Sequence, residues 1–112
     1  MKYAMLVYRE PDTFEALPDD ERVTLSREFM AVTEDPRHVD GAQLETIETA
    51  TTVRLRDERI VTTDGPFADT KEFFAGYYLF EADGLDAAIE IASRIPVLKY
   101  GGSVEIRPVV ER

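Results

Sequence analysis

The chain contains no cysteine. That excludes disulfides, thiolate nucleophiles, iron–sulfur clusters and cysteine-based zinc sites. It contains a single histidine, His38, in the polar stretch Pro36-Arg37-His38-Val39-Asp40. A zinc centre generally needs three or four ligands, so His38 and Asp40 alone do not make one. With no Gly-x-Ser-x-Gly either, a hydrolase triad has no support. Positive charge is scarce, with 13 Lys and Arg against 23 Asp and Glu and a net charge of −10. Such a surface repels phosphate backbones and anionic lipid, so neither nucleic acid nor membrane is an expected partner. No apolar run approaches the ~20 residues that cross a bilayer. The start, Met1 to Arg9, continues into Glu10-Pro11-Asp12 with no small-residue cleavage site, and reads as the first strand of a cytosolic protein.

What is present is enough for one folded domain over residues 1–112, at 44% hydrophobic and 32% charged. Lys2 to Arg9 reads as a strand with Tyr3, Met5 and Val7 on one face and Ala4, Leu6 and Tyr8 on the other. Both faces are apolar, so the strand needs cover on both sides. Asp19-Asp20-Glu21 opens a helix whose apolar positions are Val23, Leu25, Phe29, Met30 and Val32, with a stop at Pro36. Arg37 to Gly41 reads as a connector and Ala42 to Glu48 as a strand. Thr51 to Arg56 and Arg59 to Thr63 flank Asp57-Glu58 as a hairpin, interrupted at Asp64-Gly65-Pro66. Phe73 to Phe80 is a second strand apolar on both faces. Asp83 is the expected N-cap of a helix with the stripe Leu85, Ala88, Ile89, Ala92 and Ile95, ended by Pro96. Ser103 to Val109 is a last strand, with Val104 and Ile106 inward and Glu105 and Arg107 outward.

This order, without the hairpin, is the β-α-β-β-α-β ferredoxin-like pattern, an α+β fold. Its first and third strands are central, and these are the two that are apolar on both faces. Helices cover one side of such a sheet. The other would leave an apolar patch that a second copy, packed sheet to sheet, would cover, so a homodimer is expected.

Ala50-Thr51-Thr52-Val53-Arg54, the run Thr63-Asp64-Gly65-Pro66-Phe67-Ala68-Asp69-Thr70-Lys71-Glu72, Gly76-Tyr77-Tyr78-Leu79 and the tail Gly102 to Pro108 resemble the YCII-related family. Within it they are most similar to the subgroup named for the Asp-Gly-Pro-Phe motif. The resemblance implies a ferredoxin-like protomer that forms a dimeric α+β barrel. Some relatives pair a His near the start of the first helix with an Asp in a cleft. Here that region, Pro18 to Ser26, has no His, so the pair does not carry over. Members of the subgroup are often encoded near extracytoplasmic-function sigma factors, which implies a regulatory role with a protein partner as the alternative function.

The candidate residues each have two readings. Asp64 before Gly-Pro is strong turn chemistry, or else a carboxylate at a strand end acting as general base or ligand anchor. Lys71 and Glu72 are either ligand-binding groups or members of an ion-pair network with Asp64 or Asp69. Phe67 is a loop anchor in the core or a ligand stacker. Tyr77 and Tyr78 point to opposite faces, and one faces the dimer cavity as a hydrogen-bonding phenol. Arg9, at the end of the first central strand, holds an anion or forms a plain salt bridge. His38 is expected to be a solvated surface residue. The functional expectation is a small-molecule-binding protein, in one reading an enzyme without a prosthetic group, with its pocket beside the Asp64–Glu72 loop.

Overall fold

The computed structural model describes residues 1–67 and 70–111. β1 (Lys2–Arg9) begins at an exposed Lys2 and from Tyr3 on alternates between buried and half-buried positions. It lies between β5 (Phe73–Glu81) and β6 (Ser103–Pro108), and β2 (His38–Gln43) borders β5 on the far side. All pairings are antiparallel and the order is β2-β5-β1-β6. With α1 (Asp19–Val32) and α2 (Leu85–Ala92), this is the ferredoxin-like α+β arrangement. β3 (Thr51–Arg56) and β4 (Arg59–Asp64) form a separate two-stranded sheet, the expected extra hairpin.

The core follows from the alternation of β1. Tyr3, Met5 and Val7 face Phe80, Ala82, Ala88, Ile91, Ala92, Ile95 and Val97 in one buried cluster. Val104 and Ile106 stand opposite Val7 and Met5 and pack against the same cluster. The other face carries Ala4, Leu6 and Tyr8 beside Leu79, Tyr77 and Phe74, all except Phe74 half-buried. The Tyr8 and Phe74 rings are 5.7 Å apart. Glu105 and Arg107 rim this face.

Several boundaries differ from the sequence reading. α1 ends at Val32 and not at Pro36, because the Thr33, Glu34 and Asp35 amides turn back to the carbonyls of Met30, Ala31 and Val32. Its apolar stripe is only partly used, with Leu25 buried but Val23 and Met30 exposed. The second strand is His38–Gln43, not Ala42 to Glu48. Cross-strand pairing places it, with His38 opposite Phe80 and Ala42 opposite Tyr77. In α2 the buried side is Ala88, Ile91 and Ala92, while Leu85 and Ile89 are exposed. Apolar residues fill two overlapping stripes of that helix, and the sheet selects one. Its N-cap is Gly84, without a side-chain bond, and not Asp83. The ladder of the hairpin runs through Asp64, paired with Thr51, and breaks one residue later at Gly65.

β2 approaches β5 closely enough that a Cβ on Gly41 would sit 2.6 Å from the Tyr77 carbonyl oxygen. Neighbouring backbone cannot yield as a flexible side chain would. Gly41→Ala is therefore expected to cost about 1–3 kcal/mol, seen as a lower urea midpoint at an unchanged slope.

Asp35 closes the corner between the helices. Its carboxylate accepts from the Arg37 amide (2.9 Å), Arg37 Nε (2.9 Å) and Nη2 (2.7 Å), and Arg94 Nη2 (3.0 Å). The Arg37 bonds hold its carboxyl well below the usual value of 3.8. A pKa depressed by folding contributes stability above the unfolded-state value, lost as pH falls through that value toward the folded one. Unfolding titrations from pH 6 to pH 2 should show stability dropping below about pH 4, with a shallower drop in Asp35→Asn.

Candidate functional site

Arg9 ends β1 on its core-facing side and is 7% exposed. A buried guanidinium is costly unless paired. Its Nη1 and Nη2 donate to Glu15 Oε2 and Oε1, both at 3.4 Å. That is long for a charge-assisted fork, which settles nearer ~2.8 Å. Its Cζ lies 4.4 Å from the Phe14 ring centroid and 5.1 Å from that of Phe73, its cross-strand neighbour. Such stacking favours a desolvated cation. The Arg9 bonds in turn hold the Glu15 carboxyl below its ordinary range.

The loop between β1 and α1 is therefore more than a polar connector. Phe14 packs edge-on against Phe29 (5.7 Å) and Tyr100 (6.0 Å), which anchors the loop. Thr13 Oγ1 donates to the Glu10 carbonyl at 2.9 Å. Phe14 and Glu15 escape the sequence reading because the segment looks polar overall. The available signal was a lone aromatic beside a carboxylate in that segment.

Lys71 and Glu72 reach the same end of the sheet. Lys71 Nζ pairs with Glu10 at 3.5 Å, on the surface, and not with Asp64. Glu72 Oε1 accepts from Ser103 Oγ at 3.4 Å. Asp69, the other expected partner, lies outside the described residues.

Asp64 and Phe67 sit apart, at the base of the hairpin. Asp64 is exposed, and among the described residues its side chain accepts no hydrogen bond. The turn is secured by its neighbours: the Gly65 amide donates to the Ala50 carbonyl, and Thr52 Oγ1 to the Gly65 carbonyl, each at 2.8 Å. Gly65 has φ 112°, a conformation that favours glycine. Phe67 is 75% exposed and not a core plug. Arg54 lies over its ring at 5.2 Å. Tyr77 is half-buried on the open face, opposite Leu6 and Ala42. Tyr78 takes the helix side, and burial pushes its phenol up to about 12. The expected residues thus fall into three places: Arg9, Lys71 and Glu72 at the sheet end, Asp64 and Phe67 at the hairpin base, and Tyr77 on the open face.

His38 is not in a solvated connector. It is a strand residue whose ring packs against Phe80 (5.4 Å) and Tyr78 (6.1 Å). Its Nε2 is buried without a partner among the described residues. No group of three or more His, Asp or Glu among those residues is placed to hold a metal. Two hollows lie on the helix side, one along Arg22, Val23, Arg27 and Met30, the other between the helices at Glu28, Asp35, Arg94 and Lys99. None of the expected site residues lines either hollow.

These features define a ferredoxin-like α+β protein with a separate hairpin and a buried arginine closing its first strand. Its whole length, residues 1–112, matches the model of the YCII-related domain, and the chain belongs to that family. It is also similar to Uncharacterized protein R00369 of Rhizobium meliloti (strain 1021), 30% identical over 116 residues that cover 97% of this chain and 92% of that protein.

Because Thr52 and not Asp64 bonds the turn, the two should separate in denaturation. Thr52→Val is expected to cost about 1 kcal/mol. Asp64→Ala should stay within about 0.5 kcal/mol.

Proposed function

We propose that this YCII-related protein, of the subgroup marked by Asp64-Gly65-Pro66-Phe67, binds a small carboxylic acid or lactone beside the Asp64–Glu72 loop and works as a homodimer without a prosthetic group. The observation that carries this reading is Arg9. A guanidinium 7% exposed, stacked between Phe14 and Phe73, has only the long Glu15 contacts to satisfy it among the described residues. Its planar fork matches a carboxylate, and a ligand carboxylate at closer range would replace Glu15 with a stronger pair.

Lys71 is 85% exposed at its side chain, so it can turn from Glu10 to a ligand at little cost. Glu72, at the same sheet end, would line the approach, whereas Asp64, Phe67 and Tyr77 lie apart from Arg9 and would take no part in this contact. The homodimer rests on the apolar open face of Leu6, Tyr8, Phe74, Tyr77 and Leu79. The cell interior is the proposed location, consistent with the absence of cysteine.

A thermal-shift screen of small carboxylic acids and lactones tests the reading. At a hundred times its Kd a ligand stabilises by about 2.7 kcal/mol. The shift should vanish in Arg9→Lys, which keeps the charge but loses the fork, and persist in Asp64→Ala, which lies apart on the hairpin. If no compound shifts wild type more than Arg9→Lys, the proposal fails.

A further inference from the structure

We propose that the β3–β4 hairpin is an arm that docks on a second copy of this chain, an inference that rests on the homodimer reading and extends it beyond the sheet face. The hairpin is well formed locally. Asp57 and Glu58 both have positive φ (48° and 66°), as a type I′ turn requires. Its six cross-strand pairs run from Arg56–Arg59 at the tip to Thr51–Asp64 at the base. Yet every hairpin residue except Thr52 is exposed. A lone two-stranded hairpin in water is marginal at best.

The two faces of the arm differ. Strand alternation puts Val53, Leu55 and Ile60 on one face with Thr51, Thr62 and Asp64. Val53 is 59% exposed, and Leu55 and Ile60 are each 68% exposed. The opposite face carries Arg54, Arg56 and Arg59, with Arg56 and Arg59 directly across from each other. Like charges so placed are unfavourable without a counter-charge. The apolar face of the arm therefore asks for an apolar surface, and its basic face, turned the other way, for acidic groups around it.

A second copy supplies both. The three arginines of the arm balance Asp57, Glu58 and Asp64, so the whole net charge of −10 lies on the rest of the chain. An arm meeting another copy's body thus meets the charge its basic face lacks. The open sheet face of the same chain is apolar and uncovered. One twofold contact, sheet to sheet with each arm reaching past the sheet onto the other copy, covers both apolar surfaces of each chain. Four strands ~20 Å long present roughly 400 Å² of flat sheet face. A stable interface takes ~800 Å² per partner, so the sheet alone falls short and the arm makes up the difference. The shape agrees. The radius of gyration is 16.0 Å, with extents of 46 × 44 × 19 Å. A compact domain of this length would have about 13 Å.

The absence of cysteine makes the test clean, since a single introduced cysteine can carry a benzophenone photocrosslinker. Irradiating Leu55→Cys so labelled should yield a covalent species of twice the 12.7 kDa chain mass. The same label at Glu90→Cys, on the exposed side of α2, should not. By sedimentation equilibrium, wild type should be dimeric at micromolar concentration. Leu55→Asp/Ile60→Asp should raise its dissociation constant by ~30-fold or more. Arg56→Glu/Arg59→Glu, at an exposed tip where no folding contact is lost, should raise it by ~10-fold, less so at 1 M salt. A dimeric wild type whose dissociation constant neither double variant changes, with no crosslink from Leu55→Cys, overturns the arm and leaves the sheet-to-sheet dimer standing. A monomeric wild type overturns both.

Discussion

The structure depends on one strand that must be covered everywhere. β1 spends both its hydrogen-bonding edges on β5 and β6, and both its faces are apolar. Buried in this way it cannot be an edge, and the rest of the chain arranges itself accordingly. The helices and the segment Pro96–Tyr100 close over Tyr3, Met5 and Val7, where Met5 and Phe80 have no exposed surface left. Full burial of such a side chain contributes about 1.5–3 kcal/mol. The mirror-side residues Leu6 and Tyr8 have Tyr77 and Phe74 opposite them on β5 and the polar Glu105 and Ser103 on β6, and stay half-buried.

The same strand carries its core-facing alternation one step too far for an apolar core. After Tyr3, Met5 and Val7, the next position on that face is Arg9. A charge there must be compensated, and the chain does so with two aromatic rings and one carboxylate. Phe14 and Glu15 come from a loop whose placement rests on Phe14 docking against Phe29 and Tyr100. A cation held mostly by π faces and a long ion pair is stable enough to persist, and on the proposed function a closer anion would displace Glu15. This is why the sheet end carries the functional proposal, although the most distinctive sequence motif lies elsewhere.

That motif does structural work that its aspartate does not explain. Gly65 takes the backbone conformation, and Ala50 and Thr52 hold it from the adjoining strand. Asp64 is left pointing to solvent at the root of the hairpin. On the proposed dimer, fixing the arm would also fix this root. Assembly and the positioning of Asp64 would then be linked through the six-pair ladder alone.

Local pattern determined much by itself. The two-faced apolar runs at Lys2–Arg9 and Phe73–Phe80, the wet side of Ser103–Val109 and the tight turn at Asp57-Glu58 could all be read directly. Period-2 alternation and turn chemistry are properties of neighbouring residues, and together they yield the ferredoxin-like order. The tertiary structure decided whatever depends on a distant partner. His38 belongs to a strand because Phe80 pairs with it, although Arg37 to Gly41 reads as a polar connector along the chain. α2 buries Ile91 and not Ile89 because the sheet chooses between two apolar stripes. Arg9 meets Glu15 and Phe14 only when a polar-looking loop folds back over the sheet end. Its separation from Asp64 reflects a hairpin standing clear of the sheet, a distance that side-chain spacing along the chain does not encode.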